Sequence, residues 1–455
     1  MKTIAAISTA PAVGGIGVIR ISGENALSVA DKVFCGLSDR RKLSEKPGYT
    51  ASFGFVKSLG GQKLDECVAL VFKAPHSYTG EDVVELSCHG GLFLLKKVLE
   101  EVFKAGAVPA EAGEFTKRAF LNKKIDLTEA EAVASIISAQ TDASAAAAMS
   151  AKDGALYKKI EGITSSLISL SAHLAAWTDY PDDDIEALDY DNLASVLNEA
   201  KKDCEELLQT FEVGQVVSEG IDTAILGRTN AGKSSLMNLI CGELKSIVTD
   251  IEGTTRDIVE TTVKMGNAVL KLSDTAGLRE SDDKIEQIGI TLSKKKIESA
   301  GLILAVFDSS KPLNEEDFAL LEAIKNKCAI LVINKSDLSP VWESEILRKY
   351  GKKTVLLSAK EEIGYNELVG AVEEELGTAD FNPYAPMLAT ARQKSCCFEG
   401  LGCINECLEA IEMGLTLDAV NVSLDGAINS FLELTGERAT EKITEEIFKN
   451  FCVGK

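Results

Sequence analysis

The sequence predicts a multidomain chain of mixed α/β and α class, and three differences in sequence character predict it. Residues 1–120 mix short β-type apolar runs with a helix, which is typical of an α+β domain. Residues 121–215 and 379–455 are helical and acidic. Between them, residues 216–378 alternate apolar runs with helical segments, as in a doubly wound parallel sheet with crossover helices. We therefore expect an α-helical bundle domain into which an α/β domain is inserted.

The individual elements follow from apolar runs and their flanking residues. In the N-terminal domain we expect three strands and one helix, at residues 17–21, 66–72, 83–87 and 91–103. In the inserted domain we expect strands at residues 221–226, 269–272, 329–333 and 355–357.

Composition excludes several classes of protein. The chain of 455 residues is 45% hydrophobic and 26% charged, the balance of a folded protein and not of a disordered one. No apolar stretch reaches the roughly 18 residues that span a bilayer, and the N-terminus lacks a signal-peptide pattern, so we expect a cytoplasmic protein with no membrane contact. A net charge of −22 makes the chain a poor general binder of nucleic acid, because such binding depends on cations.

The eleven cysteines are interpreted as reduced thiols, because nothing indicates a secreted protein. Cys396, Cys403 and Cys407 are spaced to share one face of a helix. We interpret them as part of a core stripe. A metal site is disfavoured, because no Cys-x-x-Cys pair or nearby His completes a tetrahedral set.

A phosphate-binding motif follows the first strand of the inserted domain. Residues 227–234 read Gly-Arg-Thr-Asn-Ala-Gly-Lys-Ser, which is G-x-x-x-x-G-K-S, and the helical sequence SLMNLI comes next. In this strand–loop–helix context, backbone N–H groups and the helix N-terminus bind phosphates. We expect Lys233 to reach the terminal phosphates and Ser234 to ligate Mg²⁺.

Three later motifs identify the nucleotide as GTP. Residues 274–277, Asp-Thr-Ala-Gly, place an acid near the metal and a glycine amide near the γ-phosphate. Residues 334–337, Asn-Lys-Ser-Asp, supply a carboxylate for both N–H donors of guanine, an arrangement that adenine cannot satisfy. Residues 358–360, Ser-Ala-Lys, would support guanine from its other side. This ordered set resembles the translation-factor-like GTPases.

One position departs from the common GTPase pattern. Leu278 stands where Ras-like proteins have a glutamine that positions the attacking water. Because an aliphatic side chain cannot orient water, hydrolysis must recruit another residue. Arg256 and Arg279 are possible arginine fingers, although neither is evident as one.

Further features make a more specific resemblance. Asn230 lies inside the P-loop, residues 249–257 read Thr-Asp-Ile-Glu-Gly-Thr-Thr-Arg-Asp, and the chain ends Phe-Cys-Val-Gly-Lys. With the acidic helical segments, these features resemble the MnmE (TrmE) family of tRNA modification GTPases, which belongs to the TrmE-Era-EngA-like GTPases. The resemblance covers essentially the whole chain.

The resemblance implies how the GTPase site works. It implies K⁺ ligands at Asn230, Thr249, Ile251 and Thr254, with K⁺ in the role of an arginine finger. It also implies Mg²⁺ ligands at Ser234 and Thr255, a water-positioning catalytic Glu286, and a homodimer whose G domains meet across their switch loops. The motifs and the resemblance together imply GTP contacts at Asn230, Ala231, Gly232, Lys233, Ser234, Ser235, Thr249, Asp250, Ile251, Glu252, Gly253, Thr254, Thr255, Asp274, Thr275, Ala276, Gly277, Asn334, Lys335, Ser336, Asp337, Ser358, Ala359 and Lys360.

For the N-terminal domain, the resemblance implies a site for 5-formyl-tetrahydrofolate or a related reduced folate. The implied folate-binding residues are Arg20, Glu85, Lys124 and Lys455. Without the resemblance, Arg20 and Lys124 would be interpreted as solvated surface charges. Cys452 is a candidate catalytic thiol, with an anchor for the tail as the alternative. We interpret His89 as a packed structural residue.

The implied reaction installs a carboxymethylaminomethyl or aminomethyl group on C5 of the wobble uridine of certain tRNAs. The amine would come from glycine or ammonium, and an MnmG-type partner would bring FAD and NADH in a heterotetramer-like complex. Two alternatives remain: a regulatory or ribosome-assembly GTPase switch, and a folate-dependent aminomethyl transferase that acquired a GTPase domain. The switch alternative is disfavoured because such proteins often carry a basic RNA-binding module, whereas the segment after residue 378 has 12 acidic and 6 basic residues.

Overall fold

The computed structural model describes residues 1–37, 41–179, 190–242, 261–272, 296–449, 451 and 453–454. The chain divides into two compact units, one formed by Met1–Ala134 with Asp425–Lys455 and the other by Ser135–Leu424. Among the described residues, no helix combines the length and the apolar content that crossing a membrane requires.

The first unit is built on a seven-stranded sheet with strand order β3-β4-β5-β6-β2-β1-β7. The strands are β1 Ile4–Ile7, β2 Ile16–Ser22, β3 Phe34–Gly36, β4 Thr50–Lys57, β5 Lys63–Phe72, β6 Val83–His89 and β7 Val108–Pro109. The helices that lie within this unit are α1 Ala26–Val33, α2 Leu92–Lys104, α3 Glu114–Leu121 and α14 Glu441–Lys449, and α4 Leu127–Ser138 begins in it. All three predicted strands and the predicted helix in this part of the chain are confirmed.

Side chains of this sheet separate onto two faces. Ile19 and Ile21 of β2 are fully buried and belong to the core that α2 completes with Leu95. Because side chains alternate along a strand, Arg20 lies on the opposite face of the sheet. It pairs in register with Glu85 of the antiparallel strand β6, so the fold places these two charges side by side.

The second unit contains helices of the bundle and the inserted domain. The helices are α5 Asp142–Lys152, α6 Ala155–Asp179, α7 Tyr190–Ser218 and α12 Ala391–Glu412, followed by α13 Leu417–Thr435, which begins in this unit. Side-chain capping boxes at Thr141 and Thr390 start α5 and α12. Helices α7 and α12 pack against each other. Cys204 and Cys397, one from each of these helices, are fully buried.

The predicted cysteine stripe lies on α12. Cys396 and Cys407 are buried and Cys403 is half-buried. Burial raises the pKa of the Cys407 thiol to about 12, so this side chain stays protonated and apolar at neutral pH. In the part of the chain that the structure describes, no group of three or more His, Cys, Asp or Glu side chains is arranged to hold a metal ion.

The inserted domain has a six-stranded sheet with order β13-β12-β11-β8-β10-β9. Its strands are β8 Ile221–Leu226, β9 Thr261–Met265, β10 Ala268–Leu272, β11 Leu302–Asp308, β12 Ala329–Asn334 and β13 Lys353–Leu356. Its helices include α8 Lys233–Gly242, α9 Glu315–Ala323, α10 Glu345–Arg348 and α11 Tyr365–Glu375. Every pairing is parallel except β9 with β10.

Both faces of this sheet are covered. Every residue of β11 and β12 is buried, which is typical of a parallel sheet between two layers of helices. Two separate apolar cores lie against the sheet. The doubly wound α/β fold predicted for the insertion is therefore confirmed, and the carboxyl ends of its strands share one edge, where ligands of such folds bind.

Candidate functional site

The P-loop joins β8 to α8 as the motif predicts, and its glycines are required by close packing. Gly227 has φ 152°, and a Cβ there would collide with the carbonyl of Val306 on β11. Gly232 has φ 98°, and a Cβ there would collide with the side-chain amide of Asn334. The loop therefore lies tightly against the neighbouring strand ends, which only glycine permits at these two positions.

Lys233 begins α8 and lies folded over its own loop. Its ammonium donates hydrogen bonds to the carbonyls of Gly227 and Arg228, each at 2.8 Å. Burial lowers the pKa of this lysine, with partial compensation from the carboxylate of Glu316. Ser234 and Ser235 follow in the first turn of the helix and are exposed, at the helix end that favours anions.

Asn334 connects three motifs that are far apart in sequence. Its Nδ2 donates to the carbonyl of Ala231 in the P-loop at 3.0 Å. Its Oδ1 accepts from the backbone N–H of Ala359 at 3.0 Å. The P-loop and the two motifs predicted to recognise guanine are thus joined through one buried side chain, because parallel strands bring their carboxyl ends to the same edge.

Lys335 contacts both the P-loop and a buried carboxylate. Its ammonium donates to the carbonyl of Asn230 at 3.0 Å and to Asp308 at 2.6 Å. Burial alone would raise the pKa of Asp308, but hydrogen bonds from Lys335 and Ser310 outweigh burial and hold the pKa below its usual value. Asp308 is therefore ionised and already paired.

Asp337, by contrast, is exposed. The hydroxyl of Ser358 donates to its Oδ1 at 2.6 Å. This hydrogen bond lowers the pKa of the Asp337 carboxyl, so the group is ionised and presents acceptor oxygens. Ser336 donates its backbone N–H to Leu357 at 3.1 Å, and the ammonium of Lys360 pairs with Glu361 at 3.0 Å.

Several predicted site residues lie outside the described residues. They are Thr249, Asp250, Ile251, Glu252, Gly253, Thr254, Thr255, Asp274, Thr275, Ala276, Gly277, Glu286, Cys452 and Lys455, and the possible arginine fingers Arg256 and Arg279 lie there too. The assignments at these positions stay predictions.

In the first unit, the predicted folate residues Arg20 and Glu85 form an ion pair. Arg20 Nε lies 2.8 Å from Glu85 Oε1, and both side chains are largely buried. Arg20 Nη1 also donates to the carbonyl of Gly454, the penultimate residue, at 3.3 Å. The backbone of Gly454 therefore lies beside this pair.

Aromatic side chains complete the surroundings of Arg20, and sequence reasoning missed them. The guanidinium lies 5.5 Å from the ring centroids of both Tyr78 and Phe115. The Tyr78 hydroxyl is hydrogen-bonded to that of Thr116 at 2.8 Å, and burial raises the pKa of the phenol. A lone aromatic residue before Thr79-Gly80 in a loop between strands was the available signal.

The remaining described folate candidate, Lys124, is tied to the same loop. Its ammonium donates to the carbonyl of Pro75 at 3.1 Å, in an exposed position. The loop that carries Tyr78 is also held at Thr79, whose carbonyl accepts from the side chain of Asn122 at 2.7 Å. We use the name Arg20 cleft for the group formed by Arg20, Glu85, Tyr78, Phe115 and Gly454. Lys124 is connected to this group through the loop and not by direct contact with Arg20.

The prediction for His89 was wrong. Its side chain is not packed, because 70% of it is exposed at the end of β6. Its Nδ1 lies 2.6 Å from Oδ1 of Asp65, and its backbone N–H donates to Oδ2 of the same carboxylate at 2.8 Å. The side-chain hydrogen bond to Asp65 and the charge of that carboxylate raise the pKa of the imidazole, and the ring stays in solvent.

Comparisons with known proteins match these features to one family. Residues 127–452 match the model of the MnmE helical domain, and residues 3–124 match that of the GTP-binding protein TrmE N-terminus. The chain is 41% identical to the tRNA modification GTPase MnmE of Clostridioides difficile, and 40% identical to that of Alkaliphilus oremlandii, over 100% of this chain and 99% of each relative. It is also similar to a solved structure, the G domain of the T. maritima FeoB iron transporter, at 26% identity and a TM-score of 0.26, over 34% of this chain and 98% of that one. The chain therefore belongs to the MnmE family of tRNA modification GTPases.

Proposed function

We propose that this chain hydrolyses GTP as part of a tRNA modification reaction, as the names of its relatives state for those proteins. The observation that carries the proposal is the bonding of Asn334, which holds the P-loop and both guanine motifs together. This arrangement supports the proposal, because the N-terminus of α8, which would bind phosphates, and the Asp337 carboxylate, which would bind guanine, then share one edge of the sheet.

The described residues support a role for each part of the nucleotide. Lys233 would exchange its bonds to loop carbonyls for bonds to phosphates, and the exposed hydroxyl of Ser234 would ligate Mg²⁺. The ionised carboxylate of Asp337 would accept both N–H groups of guanine. Adenine offers no such pair of donors, so the site would prefer GTP.

Hydrolysis would use residues that replace the missing glutamine. Asn230, with Thr249, Ile251 and Thr254, would hold K⁺, which supplies positive charge where a phosphoryl transition state is anionic. Asn230 suits this role because its backbone, at φ 63°, is held by the bond from Lys335 to its carbonyl. Thr255 would join Ser234 at Mg²⁺, and Glu286 would position the water. These assignments extend to residues outside the described ranges.

Two measurements test the nucleotide assignments. We expect faster GTP hydrolysis in KCl than in NaCl at equal ionic strength, and equal rates would reject the K⁺ site. We also expect Ser358→Ala to raise the Kd for GDP about ten-fold, a loss of about 1.4 kcal/mol, because the Asp337 carboxylate loses the hydrogen bond from the Ser358 hydroxyl. The control is Ser339→Ala, two residues after Asp337 in the same exposed loop, and an equal effect of both variants would remove Ser358 from guanine recognition.

The Arg20 cleft supports a reduced-folate site such as one for 5-formyl-tetrahydrofolate. Glu85 would accept hydrogen bonds from the N–H edge of the pterin. The rings of Tyr78 and Phe115 lie beside Arg20, the ion-pair partner of Glu85. Because Arg20 is ion-paired with Glu85, both side chains would lie beside the same part of the ligand. The carboxylates of folate, which lie far from its pterin ring, would then pair with cations such as Lys124 and Lys455.

The wider reaction follows from these two sites and the family. The one-carbon unit of the folate would become the methylene on C5 of a wobble uridine in tRNA, with glycine or ammonium as the amine. An MnmG-type partner would carry out the redox steps with FAD and NADH, and the active form would be a homodimer joined to that partner. The net charge of −22 supports this division, because the partner would supply the cationic surface for tRNA. Cys452 would serve as a nucleophile or acid–base group.

Binding of 5-formyl-tetrahydrofolate to the full chain tests the folate assignment. We expect micromolar binding by the wild type and a loss of about ten-fold or more in Glu85→Gln, which keeps the shape but removes the charge. Glu66→Gln is the matched control, because Glu66 is an exposed glutamate of the same sheet that pairs only with Lys63 among the described residues. Absence of binding by the wild type would leave a GTPase switch without modification chemistry.

A further inference from the structure

The second residue of the P-loop makes a buried ion pair that the nucleotide roles above do not use. Arg228 Nη1 lies 3.2 Å from Asp317 Oδ2, and the two side chains are 11% and 1% exposed. The same nitrogen donates to the carbonyl of Pro312 at 3.0 Å. Arg228 is thus attached to the segment that connects β11 with α9.

Asp317 is also the third residue of α9 and takes part in the capping of that helix. Its Oδ2 accepts the backbone N–H of Asn314 at 3.1 Å, and its own N–H donates to Oδ1 of Asn314 at 3.1 Å. This reciprocal pair is a capping box. One carboxylate oxygen therefore both caps a helix and binds the P-loop arginine, so the helix start and the loop are fixed relative to each other.

The same segment holds the P-loop at a second point. Asp308, at the start of the segment, is buried and binds the ammonium of Lys335, which in turn binds the carbonyl of Asn230. We call residues 308–317 the brace segment. It carries two buried carboxylates, one linked to the side chain of Arg228 and the other, through Lys335, to the backbone two residues further along the P-loop.

The Arg228–Asp317 pair is poorly arranged for stability. Among the described residues, Nη2 of Arg228 and Oδ1 of Asp317 are buried without a hydrogen-bond partner. Burying two charges is costly, and an incompletely bonded pair recovers less of that cost. What the pair does supply is a fixed position for the loop, because moving the loop would separate buried opposite charges.

We propose that Arg228 and Asp317 are positioning residues of the nucleotide site, which hold the P-loop on the brace segment in the conformation that receives the phosphates. Neither side chain contacts the nucleotide in this role. They act through the backbone of residues 227–234 and so set the positions of Asn230 and Lys233. The inference rests on the proposed binding of guanine nucleotide.

The experiment measures binding and dissociation of N-methylanthraniloyl-GDP, with steady-state GTP hydrolysis, in the full chain. We expect Arg228→Met to raise both the Kd and the KM about ten-fold and to speed dissociation. Arg228→Lys should stay within about three-fold of the wild type, because Nη1 alone makes the described contacts and a single ammonium nitrogen can replace it. Loss of binding in both variants alike would contradict the geometry.

A matched control separates position from stability. Leu321 lies in the same helix α9, is 1% exposed and packs in the core behind β11. Leu321→Ala should destabilise the domain in urea unfolding yet leave the Kd within about two-fold of the wild type, since a purely structural loss lowers the active fraction and not the affinity of folded molecules. If Leu321→Ala weakens GDP binding as much as Arg228→Met, the positioning role is overturned.

Asp317→Asn provides a second variant should Arg228→Met fail to fold. The amide keeps the shape and an acceptor oxygen for the cap but removes the charge that faces Arg228. We expect weaker GDP binding, and wild-type affinity in this variant would overturn the proposal. Failure of the wild type itself to bind the fluorescent GDP would instead refute the proposed nucleotide function, so the two failures are distinguishable.

Discussion

Individual carboxylates at the nucleotide edge differ in what they can bind. Asp308 and Asp337 are both ionised, since hydrogen bonds lower the pKa of each. Asp308 is buried and paired with Lys335, whereas Asp337 is exposed and accepts a hydrogen bond from the hydroxyl of Ser358. Of these two carboxylates, Asp337 is therefore the one able to accept hydrogen bonds from a base, and Asp308 acts within the protein.

His89 allows a test of pH dependence at a single residue. Hydrogen bonding and charge from Asp65 raise its pKa above the ordinary value of 6.5. A raised folded-state pKa means that the protonated pair stabilises the protein fully below about pH 6.5, and that this stabilisation is lost as pH rises through the raised pKa. We therefore expect His89→Gln to lower the free energy of unfolding more at pH 6 than at pH 9.

Urea unfolding of the wild type and His89→Gln at both pH values measures this difference. Lys63→Gln serves as the control, because Lys63 is an exposed residue of the same sheet that pairs with Glu66 and not with Asp65. Equal losses for His89→Gln at pH 6 and pH 9 would show that the imidazole contributes nothing through its charge.

At the scale of elements, the two sites use different kinds of sheet. The parallel strands β8, β11, β12 and β13 end at one edge, and the loops that follow them meet there. In the antiparallel sheet of the first unit, the strand register brings the site residues together, since it sets Arg20 of β2 opposite Glu85 of β6. The first arrangement suits a ligand bound by loops, and the second suits one bound on a sheet face.

The C-terminal tail contributes the carbonyl of Gly454 to the Arg20 cleft. Val453 forms an antiparallel bridge with Ala112, and Gly454 has φ 96°. A Cβ on Gly454 would lie 2.5 Å from the carbonyl oxygen of Ile7 and 2.8 Å from Cα of Ser8. We expect Gly454→Ala to displace the tail, because both the conformation and the contact oppose a side chain there.

Reduced-folate affinity should then fall about ten-fold in Gly454→Ala, since strain of about 1–3 kcal/mol would remove the carbonyl from Arg20. Gly414→Ala is matched for backbone conformation, with φ 67°, but has nothing within 4 Å of the added Cβ. Titration of both variants with 5-formyl-tetrahydrofolate and with GDP gives the comparison. Folate binding by Gly454→Ala as tight as by Gly414→Ala would show that the tail position is irrelevant to the cleft.

For the whole molecule, the division into two compact units assigns one candidate site to each. The Arg20 cleft, including Gly454, lies within Met1–Ala134 with Asp425–Lys455, and the nucleotide site lies within Ser135–Leu424. Each unit has its own apolar core. Since a ligand stabilises only the cooperative unit that it binds, the two ligands should act on different parts of the unfolding transition.

Differential scanning calorimetry of the full chain tests this separation. We expect two transitions, with GDP raising the midpoint temperature of one and 5-formyl-tetrahydrofolate raising that of the other. Each ligand, at 100 times its Kd, should add about 2.7 kcal/mol to the free energy of unfolding of the unit that it binds. Ser358→Ala should reduce only the GDP shift and Glu85→Gln only the folate shift. A single transition that both ligands move equally would contradict independent units.

Much of this protein could be inferred from contiguous residues. The strand before the P-loop, the alternation of β2 and β6, and the motifs at residues 227–234 and 334–337 are all local patterns, because backbone periodicity and loop chemistry are encoded over a few neighbouring positions. The resemblance to the family was likewise inferred from short sequence motifs.

Other features depended on which distant residues the packed chain brings together. The contact of Arg20 with Gly454 spans 434 positions. The residues that flank Arg228 and Asp317 in the sequence do not indicate that these two side chains pair. The exposure of His89 likewise reflects its place at a strand end. Such contacts follow from strand register and from the burial of side chains over a whole unit. Both depend on interactions throughout the unit, so a short stretch of sequence does not determine them.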